Sequence, residues 1–322
     1  MDALRHRNLR RLKGISPILL LVTTLSAIGA DKPNGIIFAV RDYSHSGVVV
    51  SGAGEGIKTL IEPFAYVIDG KLAKLPNETD PNGISDAGLS QFEKDYYSNH
   101  NKYTLYTGGK VGGSIEVIHS AFDIQCESLA AEASVTPPTA ISGMSMGLAS
   151  NLAFKELDYT RRAPTTDEKA VMLRLANAAY LDNKIPASVA EKASVSNMTA
   201  FAGKSETMLI GSLVAHEITK GPTYDSEGHP TTDIVETDNI HSVFIIAEKM
   251  GDEPYKVTFT WFHSGSDSSL ETLDLVDVLD IDGDGTPEIV MEDGGYEDVG
   301  YEVYKKTNGA WVKYFENAGG GC

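Results

Sequence analysis

The chain has 322 residues, with 45 Asp and Glu against 27 Lys and Arg and a formal net charge of −18. Such a surface is repelled by nucleic acid and by anionic lipid, and attracts cations. Two cysteines, Cys126 and Cys322, are too few for a disulfide scaffold, and the length suffices for a core without covalent staples.

The first fourteen residues, MDALRHRNLRRLKG, are basic, and the next sixteen, ISPILLLVTTLSAIGA, carry no charge. A basic region, an apolar region and small residues at Ala27, Gly29 and Ala30 follow the order of a secretory signal. The apolar run is short for a membrane span and is interrupted by Pro17. The expectation is a signal over 1–30 and a secreted or periplasmic protein over 31–322, with no membrane span in the mature form. An uncleaved anchor is the alternative. Cleavage would remove five basic residues and one acidic one, leaving the remainder still more acidic. An oxidising compartment would permit a Cys126–Cys322 bridge; two free thiols are the other case.

Residues 31–160 read as β-rich. GIIFAV is one strand, and TLIEPFAYVIDGKLAKL is two strands about Asp69–Gly70. YTLYTGGKVGGSIEVI repeats the pattern about its glycines, and PNETDPNGISDAG between them is loop by composition. SVTPPTAIS cannot be a helix interior, because two prolines remove donors. Residues 161–194 read as a helical segment. Thr165 and Glu168 have capping-box spacing ahead of an apolar face over 166–180, and SVAEKA predicts a second short helix.

Residues 195–322 return to strands. ETMLIGSLVA, HSVFIIAEKM and YKVTFTWFHS are the best candidates, with GPTYDSEGHPTTDIVETDN expected as an exposed loop. YEVYKK and AWVKYF form a hairpin about Asn308–Gly309, and NAGGGC is expected to be a flexible tail unless Cys322 is tethered. The fold class is therefore α+β, predominantly β, with antiparallel sheets and hairpins and one main helix.

DIDGDGTPE, residues 280–288, crowds four carboxylates into nine residues. Asp280, Asp282 and Asp284 stand at positions 1, 3 and 5, the carbonyl of Thr286 is available at position 7, and Glu288 stands at position 9. Gly283 and Gly285 let the backbone coil tightly. This is a hard oxygen cage of the kind calcium accepts; magnesium demands stricter geometry, and without imidazole or thiolate zinc and copper fit poorly. Unneutralised, such carboxylates repel one another, and a cation turns the repulsion into attraction. The stretch is not an EF-hand, since Met291 stands at position 12 and the flanks LVDVL and EIVM are β-like.

Asp280, Asp282, Gly283, Asp284, Gly285 and Glu288, followed by Ile289–Val290–Met291, resemble the DxDGDGxxE/D calcium loops of FG-GAP/VCBS-type repeats. The likeness extends over about 272–318. It implies a loop joining adjacent strands around a structural calcium ion, and further copies of the unit. AFAGKSETMLIG (200–211) lies eighty residues earlier with Gly203 under Gly283, but without the acids. The chain is too short for seven propeller blades of about sixty residues, so a small or partial propeller is only the runner-up fold.

Candidate catalytic chemistry is sparse. GMSMG places Ser145 at the nucleophile of a G-x-S-x-G elbow, with Asp225/His229 or Asp238/His241 following in the right order. Yet SVTPPTAIS is a poor strand ahead of it. HEITK has Lys220 where a zincin needs its second histidine. The C-terminal aromatics Tyr296, Tyr301, Tyr304, Trp311, Tyr314 and Phe315 are either core or an exposed face able to grip a glycan or protein. The expected function is a secreted or periplasmic calcium-binding protein of structural or binding role, acting on a protein or glycan surface. A secreted hydrolase using Ser145 and a glycan or protein adhesion module are the alternatives.

Overall fold

The computed structural model describes residues 33–42, 59–76, 84–98, 100–122, 128–138, 146–224, 229–266, 269–295 and 298–321. The expected signal, both cysteines, Ser145 and Tyr296 lie outside them. The architecture is predominantly β, with antiparallel pairing throughout and few helices, as the sequence predicts. Among the described residues no helix is long and apolar enough to cross a membrane.

The first seven strands are β1 (Gly35–Asp42), β2 (Thr59–Ile68), β3 (Lys71–Ala73), β4 (Lys102–Thr107), β5 (Lys110–Ser120), β6 (Ala131–Thr136) and β7 (Met146–Ser150). They hydrogen-bond in the order β1-β7-β4-β5-β6-β2-β3, and β1 also pairs with β2. That last pairing closes a six-stranded barrel with β3 on its rim. Asp69–Gly70 makes the β2–β3 turn with both residues at positive φ, as the hairpin chemistry requires.

Alternate residues from all six strands fill the barrel, among them Phe38, Ile61, Leu105, Ile115, Ala133 and Ala149. A small barrel is packed in this way by side chains. Helix α1 (Asp86–Tyr96) adds Leu89 and Phe92 to that cluster. It is capped by Ser85, whose Oγ accepts from Gly88 N at 3.2 Å. The sequence reading took its first turn, in ISDAG, for loop because of the small polar residues; their role is the cap.

β1 is buried on both faces. Its other set, Ile37 and Ala39, lies on the outer wall with Phe64, Ala65 and Val67 of β2. Against this wall packs a four-stranded sheet, β13-β14-β15-β16, of β13 (Thr272–Leu279), β14 (Glu288–Gly294), β15 (Asp298–Thr307) and β16 (Ala310–Gly321). One face of this sheet gives Val276, Leu279, Val290, Tyr301 and Val303 to the barrel wall. The opposite face gives Leu275, Val278, Ile289, Met291, Tyr304 and Trp311 to a second sheet. Covered on both sides, its strands read as near-continuous apolar runs, which is why LVDVL and EIVM lack alternation. β16 continues through Gly321, so the tail expected to be flexible is a strand paired with β15 as far as Asp298↔Gly321.

The second sheet has the order β12-β11-β10-β9-β8, with β8 (Thr160–Arg162), β9 (Ser194–Ala202), β10 (Glu206–Tyr224), β11 (Pro230–Met250) and β12 (Lys256–Ser266). Its far face carries helix α2 (Thr166–Asp182) and the short α3 (Ala187–Ala190), through Met172, Ala176, Tyr180 and Val189. The predicted capping box is present: Glu168 N donates to Thr165 Oγ1 (3.2 Å), and Thr165 N donates to Glu168 Oε2 (2.8 Å).

The polar segment expected as a loop after Lys220 instead prolongs β10 and β11. They stay in register from Glu206↔Met250 to Pro222↔Ile234, and beyond an irregularity Tyr224 pairs with Pro230. β9 covers β10 only as far as Val214, and β12 covers β11 only from Asn239. The ends therefore form a two-stranded ribbon. Its Thr, Ile and Val residues suit a strand better than the segment's polarity suggests. Barrel, four-stranded sheet, five-stranded sheet and helices stack in that order, and no radial blades are present among the described residues. The propeller alternative is set aside.

Candidate metal centre

The acidic loop joins two strands of the central sheet. β13 ends at Leu279, β14 begins at Glu288, and these two residues are paired, so residues 280–287 must turn the chain back on itself. Gly283 and Gly285 do this at φ +79° and +87°, where a side chain is strained. At Gly285 an added Cβ would also come within 3.0 Å of Lys155 Nζ.

The four carboxylates divide their oxygens in the same way. One oxygen of each accepts a backbone N–H of the loop. Asp280 Oδ2 takes Gly285 N (2.9 Å), Asp282 Oδ1 takes Asp284 N (3.2 Å), Asp284 Oδ1 takes Thr286 N (2.7 Å), and Glu288 Oε2 takes Ile281 N (2.7 Å). The second oxygens of Asp282 and Asp284 face Lys305, and those of Asp280 and Glu288 accept no hydrogen bond. Asp280 and Glu288 are buried, at 1% and 0% exposure, yet Asp280 Oδ1 and Glu288 Oε1 have no hydrogen-bond partner. An unsatisfied buried oxygen of this kind is costly unless a charge answers it.

Asp280, Asp282 and Glu288 each place a carboxylate oxygen within 4.8 Å of the others. Oxygens on opposite sides of one calcium ion stand about 5 Å apart, twice the metal–oxygen distance. The residues present therefore fit calcium. Asp284 stands beside this group of three carboxylates rather than within it. Asp284 is half-exposed, and Thr286 supplies an N–H to it.

A feature absent from the sequence reading completes the site. Lys305 on β15 pairs with Glu288, and its Nζ contacts Asp282 Oδ2, lies 2.8 Å from Asp284 Oδ2 and 3.6 Å from Glu288 Oε1. The chain thus presents its own ammonium to the acidic loop. Hydrogen bonds to Asp282 and Asp284 raise the Lys305 pKa above the ordinary lysine value, and Lys305 holds Asp284 below the ordinary carboxylate range. Burial pushes Glu288 up to about 7; the Ile281 N–H opposes this and the charges of Asp282 and Asp284 add to it.

Asp277, three residues before the loop, is not part of this cluster. It is fully buried and accepts from Gly108 N (3.0 and 2.8 Å) and Val278 N (2.9 Å), with Arg161 Nη1 at 3.2 Å. Burial raises its pKa against the lowering effects of Arg161 and these N–H groups. It ties the β4–β5 turn of the barrel to the central sheet and to β8. Its only sequence signal is an acid in an apolar strand.

Ser145 and Asp225 lie outside the described residues, and among those described the other sequence candidates form no cluster. The chain after Ser145 is strand β7 from Met146, where a nucleophile elbow needs a helix. His216 pairs with Asp238 (2.8 Å), His241 with Ser264 (2.7 Å) and Glu217 (3.3 Å), and His263 with Glu271 (3.1 Å). HEITK lies on β10 rather than on a helix. Tyr301, Tyr304 and Trp311 are core, at 2%, 6% and 6% exposure, while Tyr314 is exposed. Residues 200–202 are strand and Gly203 N bonds Glu206 O. A tight turn over 203–205 thus joins β9 to β10, with Lys204 paired to Asp158. Comparison with known protein families, with curated proteins and with solved structures returns no match to this chain.

Proposed function

We propose that the chain is a secreted or periplasmic calcium-binding protein whose role is structural or in binding, the ion clamping the β13–β14 loop in the central layer. The observation that carries this reading is the pair of buried oxygens on Asp280 and Glu288 that accept no hydrogen bond, converging with Asp282 within calcium-ligand range. Asp280, Asp282 and Glu288 would hold the ion directly, and Asp284 would add charge beside it. The ion supplies positive charge. The chain's own residues orient the oxygens through loop N–H groups, and Lys305 withdraws as the ion enters.

Calorimetry on chelated protein over residues 31–322, with magnesium as control, tests the reading. One calcium site and a raised melting temperature are expected, with both lost in D282N/D284N. Absence of binding at millimolar calcium would refute it.

A further inference from the structure

Where the metal loop meets the five-stranded sheet there is a cleft of about 220 Å³. That is below the roughly 300–1,000 Å³ of clefts that take drug-sized ligands, so an occupant has the size of one long side chain. Its walls include Tyr159, Met208, Pro287 and Trp311, and its polar groups include Glu206, Glu248 and Lys306.

The two carboxylates differ in what answers their charge. Glu248 is saturated: Lys306 Nζ lies 2.5 Å from Oε2, and Trp311 Nε1 donates to Oε1 at 3.0 Å. Glu206 receives the Tyr159 hydroxyl on Oε1, and among the described residues no ion-pair partner faces it. The cleft thus retains one negative charge answered only by a neutral donor. Lys306 Nζ stands 5.6 Å from the centroid of the Trp311 ring, so the same cleft already holds one ammonium between a carboxylate and an aromatic face. That pairing is favourable for cations generally.

We infer that this cleft binds an organic cation, an alkylammonium or alkylguanidinium group, which would pair with Glu206 and lay its alkyl part along the Tyr159, Met208 and Pro287 walls. A neutral sugar fits less well. Both Glu248 oxygens, the Trp311 N–H and the Tyr159 hydroxyl are already engaged, which leaves a ring of hydroxyls few partners. The net charge of −18 steers cations towards the surface. The inference stands on the cleft and does not require calcium. Gly285, Thr286 and Pro287 line the cleft as well as turning the metal loop, so an ion in the loop would change the affinity.

The test titrates chelated protein with butylammonium and butylguanidinium at fixed ionic strength, with methyl glucoside as neutral control. Binding is followed by calorimetry and by Trp311 fluorescence in a W261F background. Saturable binding of the cations is expected. Loss of one charge-assisted contact in E206Q should weaken it about tenfold. K306M, which removes the competing ammonium from Glu248, should tighten it, and serves should E206Q fold poorly. A capped Gly-Lys-Gly peptide binding more tightly than butylammonium would assign the cleft to a basic segment of another chain; weaker binding would assign it to a free amine. Absence of saturation, equal affinity for the glucoside, or indifference to both substitutions would overturn the inference.

Discussion

Replacing Lys305 by Met tests whether the acidic loop is built for an external cation. Lys305 holds Asp282 and Asp284 and lies 3.6 Å from Glu288. Its side chain is 23% exposed, and those of Asp282 and Asp284 are 27% and 44% exposed. Contacts this open to water are discounted from the values of buried charged hydrogen bonds, and together contribute about 1–2 kcal/mol. A divalent ion entering the group must displace them. K305M removes that cost and leaves the carboxylates in place, so calcium should bind roughly 5- to 30-fold more tightly. The calcium-free variant should melt lower, because four acids then repel without a counter-ion. Calorimetry on chelated K305M, with melts at zero and saturating calcium, reads both effects. Unchanged or weaker calcium affinity would refute the reasoning, since Lys305 would then be no competitor for the ion.

Three further outcomes are expected. E288Q should abolish calcium binding and yet stabilise the calcium-free protein at pH 8 by about 1–3 kcal/mol, because a buried charge without a hydrogen-bond partner on Oε1 is removed; chemical denaturation with chelator present checks it. D277N should destabilise the protein by about 2–4 kcal/mol, since it leaves Arg161, 22% exposed, without its anion. Calcium affinity of the folded fraction should stay the same. Glu168 holds Arg162 through two contacts of 2.7 Å and accepts from Tyr255, and the Arg162 hydrogen bonds bring its pKa down to about 2. A carboxyl with a depressed folded-state pKa stabilises above its unfolded value and loses that contribution as pH falls through the folded one. Wild-type stability should therefore drop between about pH 4.5 and 2 more steeply than that of E168Q, as denaturant midpoints across that range will show.

What the sequence made legible was local. The α2 capping box, the Asp69–Gly70 and Asn308–Gly309 turns and the strands on either side of them follow from residues a few positions apart. So does the acidic loop, whose spacing sets which carboxylates can meet. The barrel closure between β1 and β2 was not legible, because nothing local distinguishes a strand that closes a barrel from one that ends a sheet. Lys305 was missed for a related reason. It is an ordinary lysine in a hairpin, and only the Glu288↔Lys305 register brings it to the loop. The β10–β11 ribbon was misread because polarity was weighed above β-branched content.

The position of the loop decides what a bound ion would do. A calcium loop on an isolated hairpin would steady only that hairpin. Here β13 and β14 lie in the layer shared by two cores: Val290 packs on the barrel wall, and Ile289 and Met291 pack on the five-stranded sheet. Asp277, three residues before the loop, is bonded to the barrel turn at Gly108 and to Arg161 of β8. Free energy gained at Asp280, Asp282 and Glu288 therefore cannot stay local, because opening the loop disturbs packing on both sides. By linkage, an ion that binds only the folded form stabilises everything that must unfold with the site. A calcium-dependent shift of one cooperative transition, seen alike by near-UV signals and by amide exchange in the β1 and β10 strands, is the outcome this arrangement demands. A shift confined to β13–β14 exchange would mean that the three layers unfold independently.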